Sequence, residues 1–253
     1  MERVAQLYDA IGGGYSAWRR PDPRIGGAIT RALGSAHAVV NVGAGPGSYE
    51  PPHGRVVAAE PAWSMILQRA PHAAPVVQAS AMALPFRDGT FDAALAVLTV
   101  HHWPDRARGL AELARVARGP LVVLTWDPAS SGFWLVDDYF PEIPSIDRRI
   151  FPTLADFEQA WGAIEVTPVP VPHDCIDGFL GAYWRRPAAY LDPAIRRGIS
   201  TFSKVPNVEP GISRLRADLA NGTWHERHGH LLTESELDLG YRLIIGRPNE
   251  SRA

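Results

Sequence analysis

Five short apolar runs, separated by helical or turn patterns and all lying between residues 39 and 126, constrain this chain more than any other feature. Val39, Val40 and Val42 form a β-branched run around Asn41 that stops at Gly43-Ala44-Gly45-Pro46-Gly47. Residues 55–60 make a second strand that ends on the carboxylate of Glu60, and residues 75–79 a third. The runs at 91–98 and 121–126 are almost continuously apolar, which suits strands covered on both faces. Residues 62–70 read as a short helix with Met65, Ile66 and Leu67 available to pack inward. Across 105–118, Leu110, Leu113, Ala114 and Ala117 recur at helical spacing, and Arg115 and Arg118 suit the negative end of the dipole. Gly119-Pro120 then stops the helix. Strands alternating with helices at this spacing predict an α/β architecture with a parallel sheet and right-handed crossovers.

Beyond Asp127 the pattern loosens. Residues 128–152 read as a loop with a short helix, 154–161 as a helix, and 163–171 as a strand with a proline-rich exit at Pro168, Pro170 and Pro172. Helical patterns follow at 176–184, 193–203 and 211–219, and a last strand at 241–245. At ~150 residues per domain, 253 residues suggest one large domain or two small ones. No linker separates two units. With 46% hydrophobic and 21% charged residues the chain reads as globular rather than disordered. The 25 bases against 27 acids leave a net charge of −2, which speaks against nucleic acid as a partner. No apolar run approaches the ~20 residues of a membrane span, and the first 30 residues do not read as a secretory signal. Cys175 is the only cysteine, so no intramolecular disulfide can form and a reducing cytoplasm is the expected compartment. All bases but Lys204 are arginine, most simply a codon bias; the sequence carries no signal for oligomeric state.

The glycine cluster is the strongest local motif. A strand followed by glycines lets backbone approach a ligand that side chains would block. The dinucleotide fingerprint G-x-G-x-x-G fits Gly43 and Gly45 but meets Ser48 at its third position. The G-x-G-x-G spacing of Gly43, Gly45 and Gly47 instead fits a loop for S-adenosylmethionine (SAM); a tight turn without a ligand is the plain alternative. Glu60, at the end of the second strand, stands where a carboxylate can accept both ribose hydroxyls of an adenosine, or else is a solvated strand end.

Several motifs in this order resemble class I SAM-dependent methyltransferases of the small-molecule type, a group that includes ubiquinone and menaquinone C-methyltransferases. Residues 39–47 resemble the first motif, and Val57-Ala58-Ala59-Glu60-Pro61 followed by Met65 the second. Residues 83–92 resemble the A-L-P-F-x-D-x-S-F-D segment that feeds the fourth strand. Tyr8, Asp9, Tyr15, Arg19, Arg20 and Arg24 resemble an N-terminal arm that closes over the cofactor. The resemblance covers about half of the chain. It implies a Rossmann-like, seven-stranded, mostly parallel sheet with the last strand antiparallel, helices on both faces and a helical cap. One domain over 1–253 is expected, with an arm at 1–35, a SAM-binding core at 36–127, and cap insertions at 128–152 and 176–238. The implied reaction is methyl transfer from SAM to a small-molecule acceptor, with secondary metabolism as a candidate setting. The implied contacts are Gly43, Ala44, Gly45 and Gly47 beside the methionine part, Glu60 and Pro61 at the ribose, and Ser80 and Ala81 flanking the adenine. Met65, Leu98, Tyr15 and Arg20 complete the set, the Arg19-Arg20 pair lying where the cofactor carboxylate should arrive. Family members usually carry Asp where this chain has Asn41, and many carry Asp in place of Ser80. A serine accepts without charge assistance, roughly half as strongly, so modest cofactor affinity is expected.

Methyl transfer from a sulfonium is an in-line displacement that the protein assists by positioning and by excluding water. His101-His102-Trp103 follows the fourth strand, and an imidazole with an ordinary pKa of ~6.5 suits proton removal near neutrality. His102 is the first candidate base and His101 the second; capping of the next helix is the structural alternative. His225, Glu226, Arg227 and His228 lack the H-E-x-x-H spacing of a zinc helix, so a polar turn and no metal are expected there. A single cysteine argues against an arsenic-type methyltransferase, and no G-x-S-x-G supports a hydrolase. Tyr8, Tyr15, Trp18, Trp103, Trp134, Tyr139 and Trp184 are candidates to line a pocket for a flat, apolar acceptor. Two rival functions follow from the same residues. One is a catalytically silent SAM-binding or partner-binding protein, given Asn41 and Ser80. The other is an NAD(P)-dependent oxidoreductase, against which Ser48 speaks.

Overall fold

The computed structural model describes residues 19–248. Tyr8, Asp9, Tyr15 and Trp18 therefore lie outside the described residues. The first described helix, α1 (Pro23–Leu33), starts where Asp22 accepts the Arg24 N–H, with proline at its first position. Five strands follow in chain order: β1 (Ala38–Val42), β2 (Arg55–Glu60), β3 (Val76–Gln78), β4 (Ala93–Val97) and β5 (Leu121–Trp126). Between β2 and β3 lies α2 (Trp63–Ile66), shorter than the residues 62–70 expected; Met65 is buried but Leu67 points to solvent. Between β4 and β5 lies α3 (Arg106–Val116), capped by the Asp105 carboxylate on the Arg108 N–H.

Three further helices and four strands complete the frame: α4 (Ile143–Ile150), α5 (Leu154–Trp161), β6 (Glu165–Pro168), β7 (Val171–Pro172), α6 (Pro193–Arg197), β8 (Glu236–Leu237) and β9 (Tyr241–Gly246). Seven strands join in the order β3-β2-β1-β4-β5-β9-β6. β1 to β5 run parallel, and β9 lies antiparallel between β5 and β6. This is the Rossmann-like, mostly parallel sheet that the sequence implied, with the order reversing between β1 and β4. In doubly wound sheets ligands lie at such a reversal, beyond the carboxyl ends of the strands.

Alternation along the strands divides the interior in two. Val39, Leu95, Val122 and Leu124 pack with Ile25, Ile29 and Leu33 of α1 on one face. Val40, Val42, Ala94 and Val123 pack with Leu110, Leu113 and Val116 of α3 and Phe157 and Trp161 of α5 on the other. The continuous apolar runs thus reflect coverage on both sides.

The roof departs most from expectation. Residues 135–139 form one π-helical turn before α4, where a loop with one short helix was expected. Residues 176–184 supply only a 3₁₀ turn (Leu180–Tyr183), and 193–203 split into α6 and a 3₁₀ turn (Phe202–Lys204). The tract expected as a polar turn is helical: α7 (Glu209–Asn221) is followed by α8 (Thr223–His228). His228 sits 2.6 Å from Asp138 and Arg227 2.7 Å from the same carboxylate, so the tract clips the roof together. Trp134, Tyr139 and Trp184 are buried in the roof interior, and the Trp134 and Trp184 indoles donate to backbone carbonyls. None of the three lines the cleft or the chamber described below.

Candidate active site

The glycine loop leaves β1 at the sheet's switch point. Gly43, Gly45 and Gly47 all have positive φ (69°, 53° and 101°), a region costly for residues bearing a Cβ. A Cβ at Gly43 would stand 2.1 Å from the Thr99 hydroxyl, so the loop can lie against the end of β4 only as glycine. A Cβ at Gly45 meets nothing within 4 Å, and Gly45 faces the open cleft. The loop is tied back by Gly43 N–H to Ala59 O (2.8 Å) and by Arg69, which donates to Gly45 O (3.1 Å).

Glu60 is the polar centre. It is 5% exposed; one carboxylate oxygen accepts the Gly45 N–H (2.8 Å) and the other the Ala62 N–H (2.9 Å). Burial lifts its pKa above the ordinary value, while these two amides and the charge of Arg69 pull it back. A carboxylate has about four acceptor directions, so two remain for vicinal hydroxyls. Across the cleft Ser80 accepts the Met82 N–H (3.3 Å). The segment carrying it is held by Arg115, which donates to Leu84 O and Phe86 O, and by Glu112, which accepts the Leu84 N–H.

Gly43, Ala44, Gly45, Glu60, Pro61, Met65, Ser80, Ala81, Leu98 and His102 together line one cleft of about 910 Å³. Two expected residues fall elsewhere. Gly47 turns the chain away, its Cβ position 3.3 Å from Ala73, and lines a groove on the far side. Arg20 is exposed; its neighbour Arg19 lines the cleft instead.

Arg19 also anchors the cleft wall. Its guanidinium donates to Asp177 (2.6 Å), which accepts the Tyr49 hydroxyl (2.9 Å) as well. Tyr49 in turn accepts the Asp22 N–H (3.2 Å), and burial beside Asp177 raises its phenol pKa. Asp22 accepts from Arg24 and from the Ile176 N–H, joining the root of α1, the glycine loop's continuation and the roof. Burial pushes the Cys175 thiol up to about 12, which keeps it out of thiolate chemistry. Tyr49 (φ 58°) and Leu98 (φ 49°) are the only non-glycine residues with positive φ among the described residues, and both line the cleft.

His101 and His102 close a 3₁₀ turn (Val100–His102) directly after β4. Neither caps α3, because Asp105 does. His101 is half-buried, stacks 4.2 Å from Phe151, and its inaccessible Nδ1 has no hydrogen-bond partner among the described residues. Burial holds both imidazoles below their ordinary value, with His102 adding to the shift at His101 and Lys204 and Arg19 to both; His102 falls to about 3. His102 is therefore a neutral imidazole across the physiological range, able to accept a hydrogen bond but holding a proton weakly. A smaller pocket of about 440 Å³, here the neck, is lined by both histidines and shares Arg19, Leu98 and His102 with the cleft. It shares Phe151, Leu180, Thr201 and Tyr241 with a second chamber of about 750 Å³ beneath the roof. The cleft and the chamber thus each share lining residues with the pocket at His101 and His102.

Of the Arg19-Arg20 pair expected at the cofactor carboxylate, Arg19 is the one that lines the cleft; sequence reasoning missed Tyr49, Thr99 and Met82 entirely. Thr99 is legible as the residue opposite a required glycine; Tyr49 carries no local signal. Asn41 is buried with neither side-chain polar atom partnered among the described residues. An uncharged amide costs less to bury there than a carboxylate would.

A model of a methyltransferase domain family matches residues 40–120. The 2-methyl-6-phytyl-1,4-hydroquinone methyltransferase of Synechocystis is 31% identical over 148 residues, covering 51% of this chain and 45% of that protein. The chain thus matches under half the length of that relative. A crystal structure from Anabaena variabilis, described as a methyltransferase from an antibiotic biosynthesis pathway, is 33% identical with a TM-score of 0.83. That likeness covers 91% of this chain and 99% of the other. The [4+2]-cyclase SpnF superposes with a TM-score of 0.56 at 15% identity, over 98% of this chain and 97% of that one, a likeness of fold alone.

Proposed function

Because the chain belongs to the class I SAM-dependent methyltransferases, we propose that it moves the methyl group of SAM onto a small-molecule acceptor held in the chamber below the roof. The observation that carries this reading is Glu60, buried at the switch point beside an open glycine loop with acceptor directions to spare. Bound SAM would supply a methyl on a positively charged sulfur, which becomes a neutral thioether as the acceptor gains the carbon. Glu60 would hold the ribose hydroxyls and Gly43, Ala44 and Gly45 the methionine part, with Pro61, Met65, Ser80 and Ala81 around the nucleoside. Of the Arg19-Arg20 pair, Arg19 would meet the cofactor carboxylate, and Leu98 lines both cleft and neck. Tyr15 keeps its place in the proposed arm.

His102 would orient the acceptor by accepting its hydrogen bond at the neck. Its low proton affinity suits an acceptor whose proton passes on to solvent, and His101 backs it as packing. The chain would act as one domain with 128–152 and 176–238 as the cap, in the cytoplasm and without nucleic acid. Among the described residues no helix is long and apolar enough to cross a membrane. An antibiotic-pathway relative supports a setting in secondary metabolism.

Calorimetric titration with S-adenosylhomocysteine tests the reading; no binding at millimolar concentration would sink it. The depressed pKa of His102 favours one second reading, a SAM-binding protein without methyl transfer. It predicts homocysteine-product binding with no labelled product from methyl-tritiated SAM across a panel of phenols, amines and carbon acids. The nicotinamide reading does not survive the family assignment.

A further inference from the structure

The chamber under the roof contains a polar group that nothing in the fold uses. Helix α4 presents Ile143 and Asp147 inward, one turn apart, so a carboxylate stands on the helix's apolar stripe. Asp147 is 3% exposed, lines the chamber, and its Oδ1 has no hydrogen-bond partner among the described residues. Buried carboxylates without partners are costly, and native structures keep them where a ligand or mechanism supplies the partner.

The surroundings limit that partner. Trp126, Phe133, Phe151 and Tyr241 line the chamber, and Phe151 stacks on His101 at the neck while meeting Trp126 edge-on (5.4 Å). Four rings around one space suit a flat ring. Asp147 and Asp137 line the chamber with Arg148, while Lys204, the chain's one lysine, lies outside that lining and exerts its charge on Asp147 without an ion pair to it among the described residues. What the chamber offers is therefore an acceptor without a donor at Asp147 Oδ1, and a neutral donor satisfies it without bringing a second charge into an apolar space.

We propose that the chamber takes a neutral aromatic acceptor bearing a hydroxyl, and that Asp147 is a positioning residue that accepts the hydroxyl's hydrogen bond and turns the ring toward the neck at His102. The acceptor's role in methyl transfer rests on the transferase reading above, whereas the recognition of a hydroxylated ring can be measured by itself.

The full chain is titrated with 2-naphthol, 2-methoxynaphthalene and 2-naphthylmethylammonium, with and without S-adenosylhomocysteine. The wild type should bind 2-naphthol about tenfold or more tightly than the methyl ether, the size of one hydrogen bond to a buried charge. Asp147→Leu should bind the two alike while its affinity for S-adenosylhomocysteine stays within about twofold, since Asp147 lies outside the cleft. Asp147→Asn, which keeps size and an accepting oxygen, should show an intermediate preference and serves if the leucine variant does not melt cooperatively. Binding of no naphthalene by the wild type, equal binding of all three, preference for the ammonium, or an unchanged preference in Asp147→Leu each overturns the proposal. Hydroxyl preference without any S-adenosylhomocysteine binding overturns the transferase reading and supports the recognition at Asp147.

Discussion

Asp147→Asn should gain stability over the parent as pH rises. Burial raises the Asp147 carboxyl from 3.8 to about 6, with Lys204 pulling the other way. The folded state therefore holds this proton more tightly than the unfolded chain does. Below about pH 4 the group is protonated in both states and costs nothing as a charge; as pH rises through 6 the fold must carry a buried, unpartnered anion. At about 1.4 kcal/mol per tenfold difference in proton affinity, the penalty reaches about 3 kcal/mol by pH 8. Asparagine cannot ionise, so whatever its amide costs in that place is the same at every pH. Between pH 5 and pH 8 the parent should accordingly lose about 1.4 kcal/mol relative to the variant. For a chain of this size that is a relative shift in Tm of roughly 3–6 °C. Urea unfolding of both proteins at pH 5, 6, 7 and 8, followed by tryptophan fluorescence, reads the difference directly. A gap that stays flat to within ~0.4 kcal/mol, or that narrows with pH, refutes the picture of a desolvated carboxylate.

Four other outcomes follow from the cleft and its wall. Glu60→Gln should weaken S-adenosylhomocysteine binding by about 10- to 100-fold in calorimetry, the loss of charge-assisted bonds worth ~1.5–3 kcal/mol. Gly45→Ala should cost only about 1 kcal/mol of stability for its backbone region, yet lose more than tenfold in cofactor affinity; Gly43→Ala, colliding with Thr99, should cost clearly more in thermal melts. Tyr49→Phe should destabilise by ~1–2 kcal/mol through the lost bond to Asp177, measurable by denaturant titration and absent if that contact is idle. With His102 deprotonated above about pH 3, kcat/KM on an identified acceptor should show no step between pH 5 and 8 that His102→Gln abolishes; such a step would restore His102 as a general base.

The parallel sheet is legible in the sequence because its strands are covered on both faces, and a run such as Leu121-Val122-Val123-Leu124 can hardly be placed otherwise. The cofactor half of the site is legible for a related reason. Gly43, Gly45 and Glu60 do their work through backbone close to them in sequence, so spacing alone places them. The cleft wall is not local: Arg19 and Asp177 meet across 158 positions and Tyr49 and Asp177 across 128, distances at which no periodicity operates. The roof misleads because its aromatics look like helix stripes. Their order comes instead from tertiary partners, such as the Trp184 indole on Val171 O, that short 3₁₀ turns satisfy as well as a helix would. Asp147 is the exception that was within reach. A lone acid on the apolar stripe of α4 is visible in residues 143–150 once the short helix expected within 128–152 is assigned to that stretch.

Leu98 has a consequence for anyone redesigning this protein. Its backbone sits at φ 49°, fixed by its N–H on Leu124 O, and a β-carbon there costs roughly 1–2 kcal/mol that glycine would not incur. A sequence optimised for melting temperature alone would therefore favour glycine or asparagine at this position. It would thereby remove the side chain that forms the wall common to cleft and neck. Stability and activity are set against each other at a single residue, and a thermostable variant that keeps turnover has to find its gains elsewhere.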